Sequence, residues 1–331
     1  MPGLARVGES EAGVVSKINF QNIMKKNWFY LLFTLATLSA TSMGTAASVL
    51  YPVVVDGRWG FVNKSGETVI NPQFERAAGF AEGLAPVRLS RWGYVDSSGK
   101  ITIVPQFDKA DVFNEGLAAI KVGGGGGGSP FPNDPRPFAH GGGGGYGYIN
   151  TDGKFAINPQ FEDAGMFSDG LGPVRMGGRW GYVDKTGTVV INPQFERAQS
   201  FFDGLAGIRS GGRWAFIDKA GKMTINPQFD EVGSFGNGLA PVRQGRRWGY
   251  IDHAGKFVIN PQFDEAGTFS GDLAPVRQSG HWGFINSSGK FAINPQFNEA
   301  DSFVDGLAMV KVDGRTGYIN TSGKYIWNPT K

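Results

Sequence analysis

Between residues 50 and 329, hydrophobic and polar positions recur in one order about every 34 residues. In one copy, Leu239-Ala-Pro-Val-Arg243, Trp248-Gly-Tyr-Ile-Asp252 and Phe257-Val-Ile-Asn260 are short runs of β-branched and aromatic residues separated by turn residues. That pattern predicts three strands, called C, A and B in this order. Alternation along A places Trp248, Tyr250 and Asp252 on one face and Gly249 and Ile251 on the other, so both faces carry apolar bulk. Between A and B lies Asp252-His-Ala-Gly255, with counterparts Asn63-Lys-Ser-Gly66 and Asp184-Lys-Thr-Gly187. An Asx side chain folding onto the next backbone, followed by a glycine at positive φ, predicts a tight hairpin. The Asn-Pro that follows is expected to end strand B, since proline donates nothing to a ladder. The connector back to the next C strand carries Phe263, Ala266 and Phe269, and reads as a packing segment.

The register is set by Trp59, Trp92, Tyr146, Trp180, Trp214, Trp248, Trp282 and Thr316, spaced 33, 54 and then 34 residues five times over. The long second interval holds an insert at residues 123–145, two polyglycine runs around a proline-rich centre, which predicts a flexible loop in place of the C–A hairpin. Its polyglycine formally contains G-x-G-x-x-G, but no helix can follow, so a dinucleotide site is excluded. A three-stranded meander of 34 residues cannot cover two apolar faces alone, so each unit must be sandwiched between neighbours. The expected fold is therefore all-β: one domain over 48–331, of eight tandem three-stranded β-meander repeats. The first C strand (Leu50-Tyr-Pro-Val) and the last A and B strands complete each other as in ring closure, so a closed propeller-like toroid is preferred to an open, curved β-solenoid.

The consensus, roughly L-A-P-V-R-x-G-x-R-W-G-Y-I-D-x-x-G-K-x-x-I-N-P-Q-F, resembles the WG (KWG) repeat family of bacterial proteins over residues 50–329. Tyr146 and Thr316 replace Trp, and Ala215 replaces Gly. The resemblance implies an interaction module. The aromatic-Gly-Tyr-Ile-Asp-x-x-Gly-Lys stretch is also similar, more weakly, to choline-binding and other cell-wall-binding hairpin repeats, which implies aromatic cages.

Composition narrows the chemistry. The 331 residues include 52 glycines, 26 Phe, 9 Tyr and 8 Trp, no cysteine and three histidines. Disulfides, thiolate metal sites and cysteine nucleophiles are excluded, and an imidazole metal centre is not expected. With 32 basic against 29 acidic residues, affinity for nucleic acid is not implied. Lys25 and Lys26, the apolar run Trp28 to Ala40, and small residues at Gly44 and Ala46 predict an export signal within residues 1–47. Met24, directly before the lysines, is the expected start, and cleavage after Ala46 or Ala47 would leave a periplasmic, cell-surface or secreted chain with no membrane span.

No nucleophile elbow, zinc-binding helix, P-loop or EF-hand is present, and His140, His253 and His281 occupy non-equivalent positions. No catalytic residue, metal or cofactor is expected, and the chain is read as not an enzyme. The acid ending strand A is Asp at 96, 184, 218 and 252 but Asn at 63, 150, 286 and 320. A turn acceptor permits that exchange and a hard-cation site does not. Two columns remain as candidate binding residues: the aromatics Trp59, Trp92, Tyr146, Trp180, Trp214, Trp248 and Trp282, and the bases Arg88, Lys121, Arg175, Arg209, Arg243, Arg277 and Lys311. A short C–A hairpin would set Arg243 opposite Trp248, either as an internal cation–π stack or as a surface for an anionic or saccharide ligand. The expected function is an exported, non-catalytic binding or scaffolding module for a protein or cell-envelope partner. Cell-wall or glycan binding is the alternative, and a glycosidase-like enzyme using paired carboxylates the second.

Overall fold

The computed structural model describes residues 49–123 and 144–330. The expected export signal, Met24 and most of the 123–145 insert lie outside the described residues. All the described elements are strands, arranged as eight antiparallel sheets whose order follows the chain. Blade 6 is typical: Glu231–Val232, Ala240–Gln244 (C), Arg247–Ile251 (A) and Phe257–Phe263 (B).

Two expectations are corrected. Blades 2 to 8 have four strands, not three, because each connector runs antiparallel to C for two residues before turning away, as in Glu231↔Arg243 and Val232↔Val242. This pair is called the lead strand; among the described residues, blade 1 (Tyr51–Val55, Arg58–Val62, Thr68–Phe74) has only C, A and B. Strand B also continues through Asn260-Pro261 to Phe263. Its register passes from Trp248↔Phe263 to Tyr250↔Ile259, so B spends four residues where A spends two, and the proline lies in that bulge, where no ladder donor is required. The bulge folds over Gly249, where a Cβ would come within 2.4 Å of the Ile259 carbonyl oxygen. The Gly of Trp-Gly is thus a packing requirement.

The two faces of strand A go to different neighbours. Trp248 and Tyr250 pack with Phe269, Ala274, Val276 and Ile285 of blade 7, while Ile251 packs with Phe216, Ile225 and Phe229 of blade 5. Eight such clusters are present, and the eighth joins Tyr51, Val53 and Val62 of blade 1 to Leu307 and Tyr318 of blade 8. Within these interfaces the Tyr of strand A donates to the next connector, as from Tyr94 to Asp111 O (2.8 Å), Tyr148 to Gly165 O (2.7 Å) and Tyr250 to Gly267 O (2.9 Å). At the seam Tyr318 donates instead to Pro52 O at 2.7 Å, and Lys64 pairs with Asp305 at 3.2 Å. The ring is closed: an eight-bladed β-propeller.

Hydrogen bonds between equivalent residues locate its axis. Ser200 Oγ donates to Met166 O, Thr268 Oγ1 to Ser234 O and Ser302 Oγ to Thr268 O. Equivalent atoms of adjacent blades are close enough to bond only near the centre of a ring, so the connectors line the axis and B is the outermost strand. The connectors also vary with strand C, and Pro86 of blade 2 faces Ala78. Where strand C has Pro173, Pro241 or Pro275, the opposite connector residue is glycine, and a Cβ there would meet the proline Cγ at 2.6–2.8 Å. Where C has Ala119, Gly207 or Met309, the connector carries Asp111, Gln199 or Asp301, each bonded to that residue's carbonyl through its own backbone N–H.

Candidate functional site

Strand direction divides the ring into two faces. Among the described residues, the C–A hairpins, the ends of the B strands and the starts of the lead strands lie on one face, and the A–B turns and connector tips lie on the other. The turn face is occupied by its own folding. Asp252 Oδ1 accepts from the backbone N–H groups of Ala254 (3.0 Å) and Lys256 (2.9 Å), and Asn286 Oδ1 does the same with Ser288 and Lys290. Asp and Asn are interchangeable there because the turn's backbone N–H groups use only the shared oxygen, although Asn63 Nδ2 also donates to Glu67 at 2.8 Å. Hydrogen bonds from Ser98 and from the backbone hold the Asp96 carboxyl below its ordinary range. At the connector tips Glu82, Glu115, Asp169 and Asp203 each accept from the glycine N–H of the next blade.

Both candidate columns stand on the hairpin face. The expected register is present: Arg243↔Trp248, Arg277↔Trp282, Arg88↔Trp92, Arg175↔Trp180, Arg209↔Trp214 and Lys121↔Tyr146. Lys311 faces Thr316, and Trp59 faces Val54. Trp92, Trp282 and Tyr146 are buried, and Trp59, Trp180, Trp214 and Trp248 are half-buried, all packed into the interblade clusters. The arginines turn to carboxylates of their own sheet. Arg243 meets Glu231 at 2.9 Å, Arg277 meets Glu265 at 2.8 Å and Lys311 meets Glu299 at 2.7 Å, while Arg88, Arg175 and Arg209 stand 3.6–3.7 Å from Glu75, Glu162 and Glu196. Lys121 lies over the Tyr146 ring at 5.5 Å, beside Lys109 at 5.6 Å.

A second basic column was not singled out from the sequence, although it stands in the consensus directly before Trp-Gly: Arg58, Arg91, Arg179, Arg213, Arg247 and Arg315. Arg91 pairs with Asp108 at 2.9 Å, and Arg213 and Arg247 pair with Asp230 and Asp264. Counting described residues by strand end, the hairpin face has seventeen Lys and Arg against twelve Asp and Glu, and the turn face has nine against twelve. The nearly neutral chain folds into a ring with opposite charge on its two faces.

Two carboxyls lie apart from both faces, in the connectors. Burial pushes Asp301 up to about 7, aided by the nearby Glu299 and opposed by Lys311. Burial also raises Asp111 to about 6, with Lys109 opposing and Asp163 adding to the rise. His253 stacks on Phe235 at 4.4 Å and His281 sits in a hairpin; His140 lies outside the described residues. Among the described residues no group of three or more His, Asp or Glu is placed to hold a metal ion, and no helix is long and apolar enough to cross a membrane.

The WG containing repeat model matches seven times, at residues 59–90, 92–125, 146–180, 180–214, 214–247, 248–280 and 282–315. The chain belongs to the WG repeat family. Each of these matches starts at the first position of the Trp-Gly pair, which is Tyr146 in the third match, while Ala215 takes the place of the glycine in the fifth. No curated protein is matched. Among solved structures, a eukaryotic initiation factor is similar at TM-score 0.52 and 11% identity, over 86% of this chain and 85% of that one. The dihydro-heme d1 dehydrogenase NirN, in complex with DHE, is similar at TM-score 0.53 and 11% identity, over 88% and 75%. BamB from Moraxella catarrhalis follows at TM-score 0.44 and 9% identity, over 82% and 94%. At such identities the likeness of this WG repeat chain to the first two is one of fold, the β-propeller.

Proposed function

We propose that this WG repeat propeller is an exported, non-catalytic binding and scaffolding module that holds a protein or cell-envelope partner on its hairpin face. The observation that carries the reading is the unequal charge of the two faces, with seventeen bases against twelve acids where two basic columns converge. A rigid closed ring holds such a surface in place without ordering it at the moment of binding. Most carboxylates that a hydrolase would need are tied into turns and ion pairs instead. Export rests on the sequence of residues 25–47, a basic start, a short apolar run and small residues. Glycan binding is the second reading, favoured by the half-buried Trp59, Trp180, Trp214 and Trp248 at the level of the basic columns. The test is cosedimentation of the purified chain with isolated cell envelopes. Saturable binding, released by salt or by soluble envelope components, is expected; a folded chain that stays in the supernatant at low salt would contradict the reading.

A further inference from the structure

Blade 1 has strands C, A and B but no lead strand among the described residues. In the other seven blades the connector precedes strand C at one fixed length: Glu231-Val232-Gly233-Ser234-Phe235 ends four residues before Leu239, and Glu265-Ala266-Gly267-Thr268-Phe269 ends four before Leu273. The same offset before Leu50 falls on Ser42-Met43-Gly44-Thr45-Ala46. These residues lie outside the described ones, but the slot that they would fill is described on three sides.

The first side is Pro52 of strand C. Pro173, Pro241 and Pro275, at the same position, each face a glycine, where a Cβ would meet the proline Cγ at 2.6–2.8 Å. Gly44 is the residue that falls opposite Pro52. The second side is blade 8 at the axis. Ser200, Thr268 and Ser302 each donate to the equivalent carbonyl of the preceding blade, and Thr45 brings a hydroxyl to that position, with Ser302 O as the acceptor. The third side is the aromatic pocket between blades. In blades 2 to 8 the connector supplies a Phe to the aromatic of the preceding strand A, as in Tyr250–Phe269 at 4.9 Å and Tyr148–Phe167 at 4.7 Å, and the strand C residue beside it is small, as are Ala274 and Gly172. A Cβ on Gly172 would press on the Phe167 ring at 2.8 Å. At the seam large and small are exchanged. Strand C carries Tyr51, whose ring meets Tyr318 at 5.5 Å, and the connector position carries Ala46, which leaves that ring its space.

We infer that residues 42–47 are the lead strand and connector of blade 1, docked along its strand C, and that the export leader is cut before Ser42. This holds whether or not the hairpin face binds a partner. The cut expected after Ala46 or Ala47 would remove the whole segment. Small residues suit the end of a leader and this slot alike, but only the slot accounts for Gly44 opposite Pro52 and for Tyr51 in place of an alanine.

The full chain, produced with its own leader in a bacterial host, is tested in two ways. Mass spectrometry of the exported chain is expected to place its first residue at or before Ser42; a folded chain that begins after Ser42 overturns the inference. Thermal unfolding then compares Tyr51→Ala, Ala46→Phe and the double variant. Tyr51→Ala is expected to lower the melting temperature by about 5 °C or more, as loss of a buried ring does in a chain of this size. Ala46→Phe lowers it by crowding Tyr51, and the double variant, which restores the Phe–Ala arrangement of blade 7, regains most of the loss. Additive losses overturn the docking. Gly44→Val is expected to lower the midpoint, and Ser42→Val to leave it unchanged, because that position holds Arg, Lys, Asp or Glu in the other blades. This second pair decides the matter should Tyr51→Ala fail to fold, and equal midpoints overturn the inference.

Discussion

At the scale of single residues, the most constrained position is the glycine of Trp-Gly. A Cβ at Gly249 would press on the Ile259 carbonyl oxygen and the Pro261 nitrogen, both backbone atoms that side-chain motion cannot clear. Yet Ala215 occupies this slot in blade 5, fully buried, so one methyl is accommodated by backbone shifts. Gly249→Ala is expected to destabilise by about 1–3 kcal/mol, the usual cost of overpacking, and Gly249→Val to prevent blade 6 from pairing; Ala215→Gly tests the converse. Chemical denaturation of the three variants measures the ranking, and an innocuous Gly249→Val would contradict it. Asp301 gives a second residue-level prediction. Its folded pKa lies above that of an unfolded aspartate, so the folded state binds more protons and stability falls as pH rises from about 4 toward 7, becoming flat above. Asp301→Asn removes that slope contribution and raises the melting temperature at pH 8 more than at pH 4. Equal shifts at both pH values would show the carboxyl to be solvated.

At the scale of the strand and hairpin, much was legible in the sequence, and the failures share one physical cause. Strands C and A and the A–B turn follow from alternation and Asx-Gly chemistry, and the Arg243–Trp248 register follows from hairpin length. The lead strand, Glu231–Val232, shows no alternation over two residues; only its partner on C defines it. Pro261 marks a bulge on the outermost strand, and a local reading treats it as a terminator because nothing local says which strand is outermost. The opposed bases Arg76 and Arg88, twelve residues apart, become neighbours only once the lead strand is known, so the candidate site was legible as columns and not as pairs. The turns yield a clean test. Asp252→Asn should leave stability within about 0.5 kcal/mol, as the native Asn286 turn implies, whereas Asp252→Ala loses both backbone contacts and costs about 1 kcal/mol. Equal losses would mean that charge, not the accepting oxygen, matters at the turn.

At the scale of the whole molecule, closure and charge separation are linked. A closed ring places every hairpin on one side, so a recurring Arg before Trp-Gly becomes a surface property that no single repeat has. Tyr318 is one of the seam contacts: its hydroxyl reaches Pro52 O and its ring meets Tyr51 at 5.5 Å. Tyr318→Phe removes one buried hydrogen bond, costs about 1–2 kcal/mol and should raise hydrogen exchange first in strands of blades 1 and 8; uniform acceleration around the ring would contradict a distinct seam. The account's central claim is that the hairpin face, and not the turn face, meets the partner. Its most direct test is envelope cosedimentation of two charge-reversed chains, Arg213→Glu with Arg247→Glu on the hairpin face and Lys222→Glu with Lys256→Glu on the turn face. Weakened binding by the first and unchanged binding by the second is predicted; the opposite order, or equal loss by both, would contradict it.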